Sequence, residues 1–339
     1  MKKLFIISNE SIYSDNSGSY CDNLDQKTTP EGLRDFFEVS IIARKSKKKR
    51  SHLIKTENIF SHKNIFSYLL QIKKTFNIND SKYLLISITP YTFVACLLIK
   101  LFKKKPIVYL RSDGFGEYKS IFGLIGPMIY FFMFSIIVRI SSMISCEEYI
   151  LRGFKGDLVK PSQLTEKWFL DLKKNNLKKI NLLYVGRIKV EKGIFSLLEL
   201  LKEYKKDFIL NIVGADKKEL GTEDNKKVVV KKIISHESDL IKEYDESNIF
   251  ILPSFTEGHP MVLYEALARK KPIIVFKEIE HVKKGRKGVF VINRDLKSLS
   301  TAIDYIIKNY DNIQKEMGSN IFSSRKEFIK SISNLINKH

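Results

Sequence analysis

The chain has 339 residues, enough for two medium-sized α/β domains, each with its own buried core. Its 59 Lys and Arg against 38 Asp and Glu give a formal net charge of +21. This charge favours anionic partners, but it does not choose among nucleic acid, acidic lipid and phosphorylated substrates. Three widely spaced cysteines form no C-x-x-C pair, which argues against zinc or dithiol redox chemistry and favours a reduced, cytosolic compartment.

Short apolar runs rich in β-branched residues recur along both halves of the chain. Each is followed by a stretch with helical periodicity, and this alternation is typical of buried parallel strands joined by helices. The first run, in MKKLFIISNE, is too short for the core of a signal peptide and predicts a first strand. The other runs are YLLISITP, PIVYLRSDG, INLLYVGR, FILNIVGA, NIFILPS and KPIIVF. We therefore predict two doubly wound, Rossmann-like parallel sheets.

The domain boundaries follow from composition. Residues 1–160 and 180–317 carry the two sets of predicted strands, and the polar, lysine-rich residues 161–179 are predicted to link them. Residues 318–339 have the apolar spacing of a helix. Two arrangements stay open for this last helix: it packs back on the first domain, or it completes the second.

Residues 120–138 form the most apolar stretch, SIFGLIGPMIYFFMFSIIV, which lacks a charged residue over 19 positions. That length approaches the roughly 20 residues needed to span a bilayer. Gly123, Gly126 and Pro127 interrupt the stretch early, which disfavours a transmembrane helix. A buried core helix and a helix lying on a membrane surface both remain open.

The loop FTEGHP follows the predicted strand NIFILPS and precedes the predicted helix PMVLYEALARK. Ligands of open α/β sheets bind beyond the carboxyl ends of strands, and the first amides of a helix attract phosphate. Glu257 lies in this loop, and Glu265 lies one helical turn after Met261. Because two carboxylates would repel a phosphate, they are better suited to accept hydrogen bonds from sugar hydroxyls. A solvated loop acid and a surface helix acid are the alternative interpretation.

The strand INLLYVGR ends at Gly186 and Arg187, and Lys192 and Gly193 stand just before the next predicted helix. Two cations on one loop at a strand end could clamp a diphosphate, Arg187 with a planar fork and Lys192 with a point charge. Either cation alone would be an ordinary surface residue in a lysine-rich protein.

The two motifs together resemble those of the family 4 glycosyltransferases of the GT-B fold. Glu257 and Glu265 match the family's E-x7-E motif, and Gly186, Arg187, Lys192 and Gly193 match its G-R-x4-K-G motif. The resemblance is specific over about residues 181–291 and only architectural before them. It implies two Rossmann-like domains facing a cleft, with residues 1–160 on the acceptor side and residues 180–317 binding the donor.

The resemblance also implies a reaction: retaining hexosyl transfer from a UDP-, GDP- or ADP-sugar to a hydroxyl of a glycan or lipid-linked acceptor. Such enzymes serve surface polysaccharide or glycolipid synthesis. The catalytic residues carried over are Arg187 and Lys192, which hold the diphosphate, and Glu257, which contacts the donor sugar. The residues assigned to donor binding are Glu265, Gly186, Gly258, His259, Met261, Val262 and Gly18. The sequence contains no D-x-D motif, so neither a metal ion nor any cofactor beyond the donor is implied.

Three departures from the family pattern stand out. Lys270 occupies a position where the family usually has Gly, and FKEIEHVKKG replaces a Gly-rich turn. The glycine-rich loop after the first strand is reduced to SDNSGSY, which leaves Gly18 as its candidate. In YLRSDGFGEY, Arg111 and Asp113 are candidates for the acceptor side, with a core or capping role as the alternative.

Other classes fit less well. A nicotinamide oxidoreductase would carry G-x-G-x-x-G, which GFGEYK does not complete. A nucleic-acid-binding protein would use the positive charge, yet the lysines are scattered and no binding signature is present, so no nucleic-acid partner is expected. An epimerase of the GT-B fold stays as an alternative. We expect a cytoplasmic protein, with peripheral attachment to an anionic membrane surface as a further hypothesis.

Overall fold

The structure is a computed structural model that describes residues 1–56, 58–173, 177–216, 220–221 and 226–339. It divides into unit 1, residues 1–163 with 325–339, and unit 2, residues 164–324. Residues 174–176 of the predicted linker lie outside the described residues.

Unit 1 is built on a mainly parallel sheet. Its strands are β1 (Lys3–Asp15), β2 (Gly18–Cys21), β3 (Glu38–Lys45), β4 (His52–Ile54), β5 (Asn58–His62), β6 (Ser81–Ile86), β7 (Pro106–Leu110), β8 (Ser142–Ser145) and β9 (Asp157–Leu158). Its first helices are α1 (Leu24–Leu33), α2 (Ile65–Lys74), α3 (Pro90–Leu101), α4 (Gly114–Phe122) and α5 (Gly126–Ile140).

The parallel strands of unit 1 run in the order β5-β3-β1-β6-β7-β8-β9. The chain thus winds outward from β1 to one side and then, from β6, to the other. The first half of β1 is apolar on both faces of the strand, and Leu4 and Ile7 are fully buried. A strand covered by helices on both sides requires this pattern.

Unit 2 contains a second parallel sheet. Its described strands are β10 (Ile180–Val185), β11 (Phe208–Val213), β12 (Val228–Lys231), β13 (Ile249–Leu252), β14 (Ile273–Phe276) and β15 (Val289–Ile292). Its described helices are α6 (Ile194–Lys202), α7 (Glu237–Glu246), α8 (Met261–Ala268), α9 (Leu296–Lys308) and α10 (Tyr310–Met317). The strand order β12-β11-β10-β13-β14-β15 reverses direction between β10 and β13. In doubly wound sheets this reversal opens a crevice at the carboxyl ends of the two strands.

The predicted doubly wound architecture is confirmed in both halves, and all seven predicted apolar runs are strands. One local prediction is wrong: β1 is not followed by a glycine-rich loop. It continues to Asp15 and turns back into β2, pairing Asp15 with Gly18 in an antiparallel hairpin. Gly18 has φ +138°, which is a conformation that L side chains rarely adopt, so it serves this turn.

The part of the predicted linker from residue 164 packs into unit 2. Trp168 is buried, and its indole donates to Glu237 at 2.9 Å. The buried guanidinium of Arg269 pairs with Asp245 and also donates to the carbonyls of Trp168, Leu170 and Asp171. The three bonds to carbonyls fasten the segment to the C-cap residue of α8, which explains why a polar sequence here does not form a free linker.

The final helix, α11 (Arg325–Lys338), belongs to unit 1. Phe328, Ile332 and Ile336 are buried in the cluster that also holds Leu4 and Ile6 of β1. Helix α11 therefore covers one face of the unit 1 sheet.

The apolar stretch at residues 120–138 forms the end of α4, a turn and most of α5. Residues Gly114–Ile140 are long and apolar enough to cross a membrane by length and composition alone. The helix is nevertheless broken at Gly123, which has φ +62°, and the 15 residues of α5 measure about 22 Å, short of the roughly 30 Å hydrocarbon core. Tyr130, Phe134 and Ile137 bury one face of α5 in the core of unit 1, while the opposite face is exposed.

Lys270, one of the departures from the family pattern, lies just after α8 with φ +51°. The N–H of Lys270 donates to the Leu267 carbonyl at 3.0 Å, and that of Lys271 donates to the Ala266 carbonyl at 2.8 Å. These two bonds form a Schellman motif, whose left-handed residue is usually Gly. A lysine at this position destabilises the helix end, because its Cβ disfavours the left-handed conformation that glycine adopts readily.

We expect Lys270→Gly to raise the free energy of unfolding by roughly 0.5–1 kcal/mol, because glycine relieves the left-handed strain at this cap. Urea denaturation of the purified variant measures the change. Lys315→Gly, inside α10, is the control and should lower stability by a similar amount. A loss of stability in Lys270→Gly would contradict this account of the helix end.

Candidate functional site

The two sequence motifs of unit 2 meet at the reversal of its sheet. Gly186 and Arg187 follow β10, and the loop 253–260 follows β13, its direct parallel neighbour. Since the carboxyl ends of parallel strands share one edge, both loops emerge side by side. The structure thus brings together residues that are about 70 positions apart in the sequence.

Gly193 fixes the contact between the two loops. It has φ +67°, and a Cβ added to it would lie 1.9 Å from the carbonyl oxygen of Pro253. Next to this contact, the N–H of Phe255 donates to the carbonyl of Glu191 at 2.9 Å. Glycine is required here for both its left-handed backbone and its lack of a side chain.

Lys192 and Glu257, two of the predicted catalytic residues, form a salt bridge. Lys192 Nζ lies 2.7 Å from Glu257 Oε1, and the hydroxyl of Ser254 donates to the same oxygen at 2.7 Å. The Glu257 side chain is only 8% exposed, against 28% for Lys192. The carboxylate is therefore fixed in place, and the more accessible ammonium keeps two further N–H groups for a ligand.

Arg187, the other predicted cation, is exposed at the same edge. Within the described part of the chain, no hydrogen bond or salt bridge of its guanidinium is formed. Its backbone carbonyl accepts a bond from the Tyr184 hydroxyl at 3.0 Å. Burial, reinforced by the Glu257 carboxylate, raises the pKa of Tyr184, so this phenol stays protonated and holds the backbone of Arg187.

Glu265 is buried in α8, with a relative exposure of 6%. The hydroxyl of Tyr244 on α7 donates to Glu265 Oε2 at 2.8 Å. Burial, together with the Glu265 charge, raises the pKa of Tyr244 well above its usual range, so the tyrosine remains a donor. This geometry excludes the interpretation of Glu265 as a surface helix acid.

Helix α8 starts at Met261, with Pro260 as its N-cap residue and no side chain capping the first turn. The Leu263 N–H donates to the Pro260 carbonyl at 3.2 Å, so this amide is engaged within the first turn. The backbone amides of Met261 and Val262 lie in the first turn of the helix, at the positive end of its dipole. His259 stacks on Tyr264 with ring centroids 4.5 Å apart, and Gly258 precedes it in the loop.

Arg294 is a residue that the sequence analysis missed. It follows β15, and its guanidinium lies between the rings of Phe255 and Phe276, 4.1 and 4.2 Å from their centroids. It donates to the Pro253 carbonyl at 3.0 Å and to the Glu278 carboxylate at 2.7 Å. The bond from Arg294 lowers the pKa of Glu278. Its position after a strand at the same sheet edge was the available signal.

His281 was also missed. It lies in the segment that replaces the family's Gly-rich turn, and its Nε2 is 2.7 Å from the Glu257 carbonyl oxygen. Arg294 and His281 thus both contact the backbone of the loop 253–260.

Unit 1 has its own cavity of about 290 Å³, at the reversal of its sheet between β1 and β6. Its lining is polar and includes Glu10, Arg111 and Glu117. Arg111 pairs with Asp25 at 2.7 Å, and Gln163 donates to the same carboxylate at 2.5 Å. Arg111 lines the cavity, and its acceptor-side role stays a prediction.

Asp113 and Gly18 are placed differently. Asp113 caps α4 by accepting a bond from the Phe115 N–H at 3.2 Å, and it pairs with Arg152 at 3.3 Å. This is the capping role that the sequence left open for Asp113. Gly18 lies in the turn of the β1–β2 hairpin. Among the residues that can be described, no group of three His, Cys, Asp or Glu could hold a metal ion.

Two doubly wound parallel sheets define the chain as an α/β protein of the GT-B fold. Residues 167–323, nearly all of unit 2, match the family model of the glycosyl transferases group 1. Among solved structures, the chain is similar to a sucrose-phosphate synthase from Thermosynechococcus elongatus, with a TM-score of 0.71 and 14% identity. This match covers 100% of the present chain and 99% of the synthase chain. The chain is also similar over 99% of both chains to the lipopolysaccharide outer core galactosyltransferase WaaB, with a TM-score of 0.61 and 16% identity.

In sequence, the chain is 30% identical over 148 residues to the capsular polysaccharide biosynthesis glycosyltransferase CapM of Staphylococcus aureus. This match covers 40% of the chain and 39% of CapM. The chain aligns with less than half the length of each curated relative that it matches.

Proposed function

We propose that the protein is a retaining glycosyltransferase that moves a sugar from a nucleoside diphosphate sugar to a hydroxyl group of a glycan or lipid-linked acceptor. The observation that carries this proposal is the 2.7 Å contact between Lys192 and Glu257. It joins the two family motifs at the point of the unit 2 sheet where ligands of doubly wound folds bind.

The diphosphate is assigned to the positive groups of this edge. Arg187 supplies an unpaired planar fork, Lys192 supplies its remaining N–H donors, and the amides of Met261 and Val262 lie at the start of α8. These groups stabilise the negative charge that grows on the diphosphate as the bond to the sugar breaks. Glu265, positioned by Tyr244, is assigned to the ribose hydroxyls.

Glu257 is assigned to the donor sugar. Its bonds from Lys192 and Ser254 both reach Oε1, so Oε2 is the oxygen assigned to sugar hydroxyls. During transfer the anomeric C–O bond to phosphate breaks and a bond to the acceptor oxygen forms on the same face of the sugar. The acceptor proton goes to the departing phosphate oxygen, so this mechanism needs no side-chain base.

The acceptor is assigned to the cavity of unit 1. Its polar lining, with Glu10, Arg111 and Glu117, offers both donors and acceptors to a polyhydroxylated group. The capsule and lipopolysaccharide roles in the names of CapM and WaaB support surface polysaccharide or glycolipid synthesis.

We expect a nucleoside diphosphate sugar to raise the melting temperature of the protein, because a ligand at 100 times its Kd stabilises the native state by about 2.7 kcal/mol. UDP-, GDP- and ADP-sugars are compared with NADH and with an oligonucleotide in a thermal-shift screen. Stabilisation by the oligonucleotide alone would overturn the enzyme proposal. Release of an epimerised sugar without transfer would instead support an epimerase.

A further inference from the structure

The turn between α4 and α5 carries a cluster of exposed apolar side chains. Relative exposures run from 55% to 86% in this cluster, with Leu124 the most exposed. Contiguous apolar side chains this exposed mark an interaction surface on a soluble protein. We call the cluster the apolar tip, and it consists of Ile121, Phe122, Leu124, Ile125, Met128 and Phe131.

The apolar tip rests on a rigid support. A Cβ on Gly126 would lie 1.9 Å from the carbonyl oxygen of Tyr118, and one on Gly114 would lie 2.1 Å from the ring of Tyr130. Helices α4 and α5 therefore pack closely against each other as a hairpin. Since the inner face of α5 is committed to the protein core, the tip cannot fold inward to hide its apolar surface.

A basic loop lies at the same edge of unit 1. The run RKSKKKR at residues 44–50 starts within the last two residues of β3. Its Lys45, Lys47, Lys48 and Lys49 are exposed, and in the described part of the chain they form no salt bridge. The ammonium of Lys49 lies 4.9 Å from the centroid of the Tyr20 ring. Four lysines in five residues make a strongly positive patch.

Ring contacts place the start of the basic loop and the residue after the apolar tip beside the same helix, α3. The guanidinium of Arg44 lies 5.1 Å from the ring centroid of Tyr91 at the start of α3. Further along α3, the ring of Phe93 lies 6.0 Å from that of Phe132 on α5, directly after the tip. Because β3 and β7 are both strands of one parallel sheet, the loop after β3 and the helix after β7 leave from the same edge.

We propose that this edge of unit 1 docks on an anionic lipid bilayer, with the apolar tip inserted among the acyl chains and the basic loop on the head groups. A bilayer supplies the apolar layer and the negative charge side by side. A second copy of the chain would bring a like-charged loop to the contact, and nucleic acid offers nothing to bury the tip.

Docking would present the cavity of unit 1 to the membrane surface. Glu117 of α4 lines the cavity, and Ile121 lies one helical turn further along the same helix. An acceptor reaching that cavity would be anchored in lipid. This last step rests on the proposed function, whereas the docking itself does not.

Vesicle co-sedimentation tests the docking directly. We expect the wild-type protein to bind vesicles of phosphatidylcholine with 30% phosphatidylglycerol at least tenfold more tightly than phosphatidylcholine alone, and to lose most of this preference in 0.5 M NaCl. Leu124→Ser with Met128→Ser should weaken binding about tenfold or more. Lys47→Glu with Lys48→Glu should do the same for the anionic vesicles.

Two matched controls separate docking from general effects. Ile321→Ser removes an apolar side chain that is 97% exposed in unit 2. Lys205→Glu with Lys308→Glu makes the same charge change on unit 2. Both controls should bind vesicles as the wild type does, and the tip variant should keep its thermal shift with the donor.

Three outcomes would overturn the proposal. The first is no binding to anionic vesicles at low salt. The second is equal binding by the tip variant and the wild type. The third is a wild-type dimer in sedimentation velocity that Leu124→Ser converts to a monomer. Loss of donor binding with docking intact would instead count against the proposed function alone.

Discussion

Replacing Lys192 by alanine is expected to lower kcat by roughly 100- to 1,000-fold, as removal of one charge-stabilising donor does at other active sites. The ammonium is the only partner of opposite charge that contacts Glu257 among the described residues, at 2.7 Å. Its remaining donors are assigned to the leaving diphosphate, where negative charge develops. Steady-state kinetics of nucleoside diphosphate release measures the effect.

Lys189→Ala is the matched control for this variant. Lys189 lies on the same loop, but it pairs with Glu191 at 3.3 Å and is half exposed. Exposed pairs of this kind contribute about 0–1 kcal/mol, so its removal should leave kcat within about twofold. Equal kcat values for the wild type and a folded Lys192→Ala protein would remove Lys192 from the catalytic set.

Replacing Gly193 by alanine is expected to have the largest effect on the stability of unit 2. The left-handed φ of +67° costs an L residue about 1 kcal/mol, and the added methyl group must displace the Pro253 carbonyl, 1.9 Å away, at a further cost of roughly 1–3 kcal/mol. Because this contact joins the two loops, activity should fall together with the free energy of unfolding in urea.

Gly285→Ala isolates the two contributions. Gly285 has a similar φ of +71°, yet no heavy atom lies within 4 Å of the position of its Cβ. This control should lose only about 1 kcal/mol and keep its activity. Equal losses in the two variants would show that the contact between Gly193 and Pro253 does not position the site.

The sequence was sufficient to predict the architecture because buried parallel strands are short apolar runs in the sequence. INLLYVGR and NIFILPS became β10 and β13, and the rule that ligands bind at carboxyl ends of strands placed Arg187 and Glu257 at one edge. The spacing of the two motifs predicted that their residues belong to one site. Periodicity alone could not do so, since it indicates which face of a strand is buried but not which strands are neighbours.

The supporting contacts could not be predicted in this way. Tyr244 reaches Glu265 from another helix, and Arg294 reaches Pro253 from the end of β15, so both depend on how helices and loops pack. The assignment of Gly18 to a glycine-rich loop was wrong for a related reason. A glycine after an apolar run fits such a loop and a hairpin turn equally well. Only the pairing of β1 with β2 distinguishes the two.

The most direct test of the central claim is the binding of nucleosides and nucleoside diphosphates to the wild-type and Arg187→Ala proteins by isothermal titration calorimetry. The uridine, guanosine and adenosine series are titrated in parallel. If Arg187 holds the diphosphate, the variant should bind the preferred nucleoside diphosphate at least tenfold more weakly and the nucleoside equally well. Equal weakening of both ligands, or of neither, would contradict the assignment of the diphosphate to this edge of unit 2.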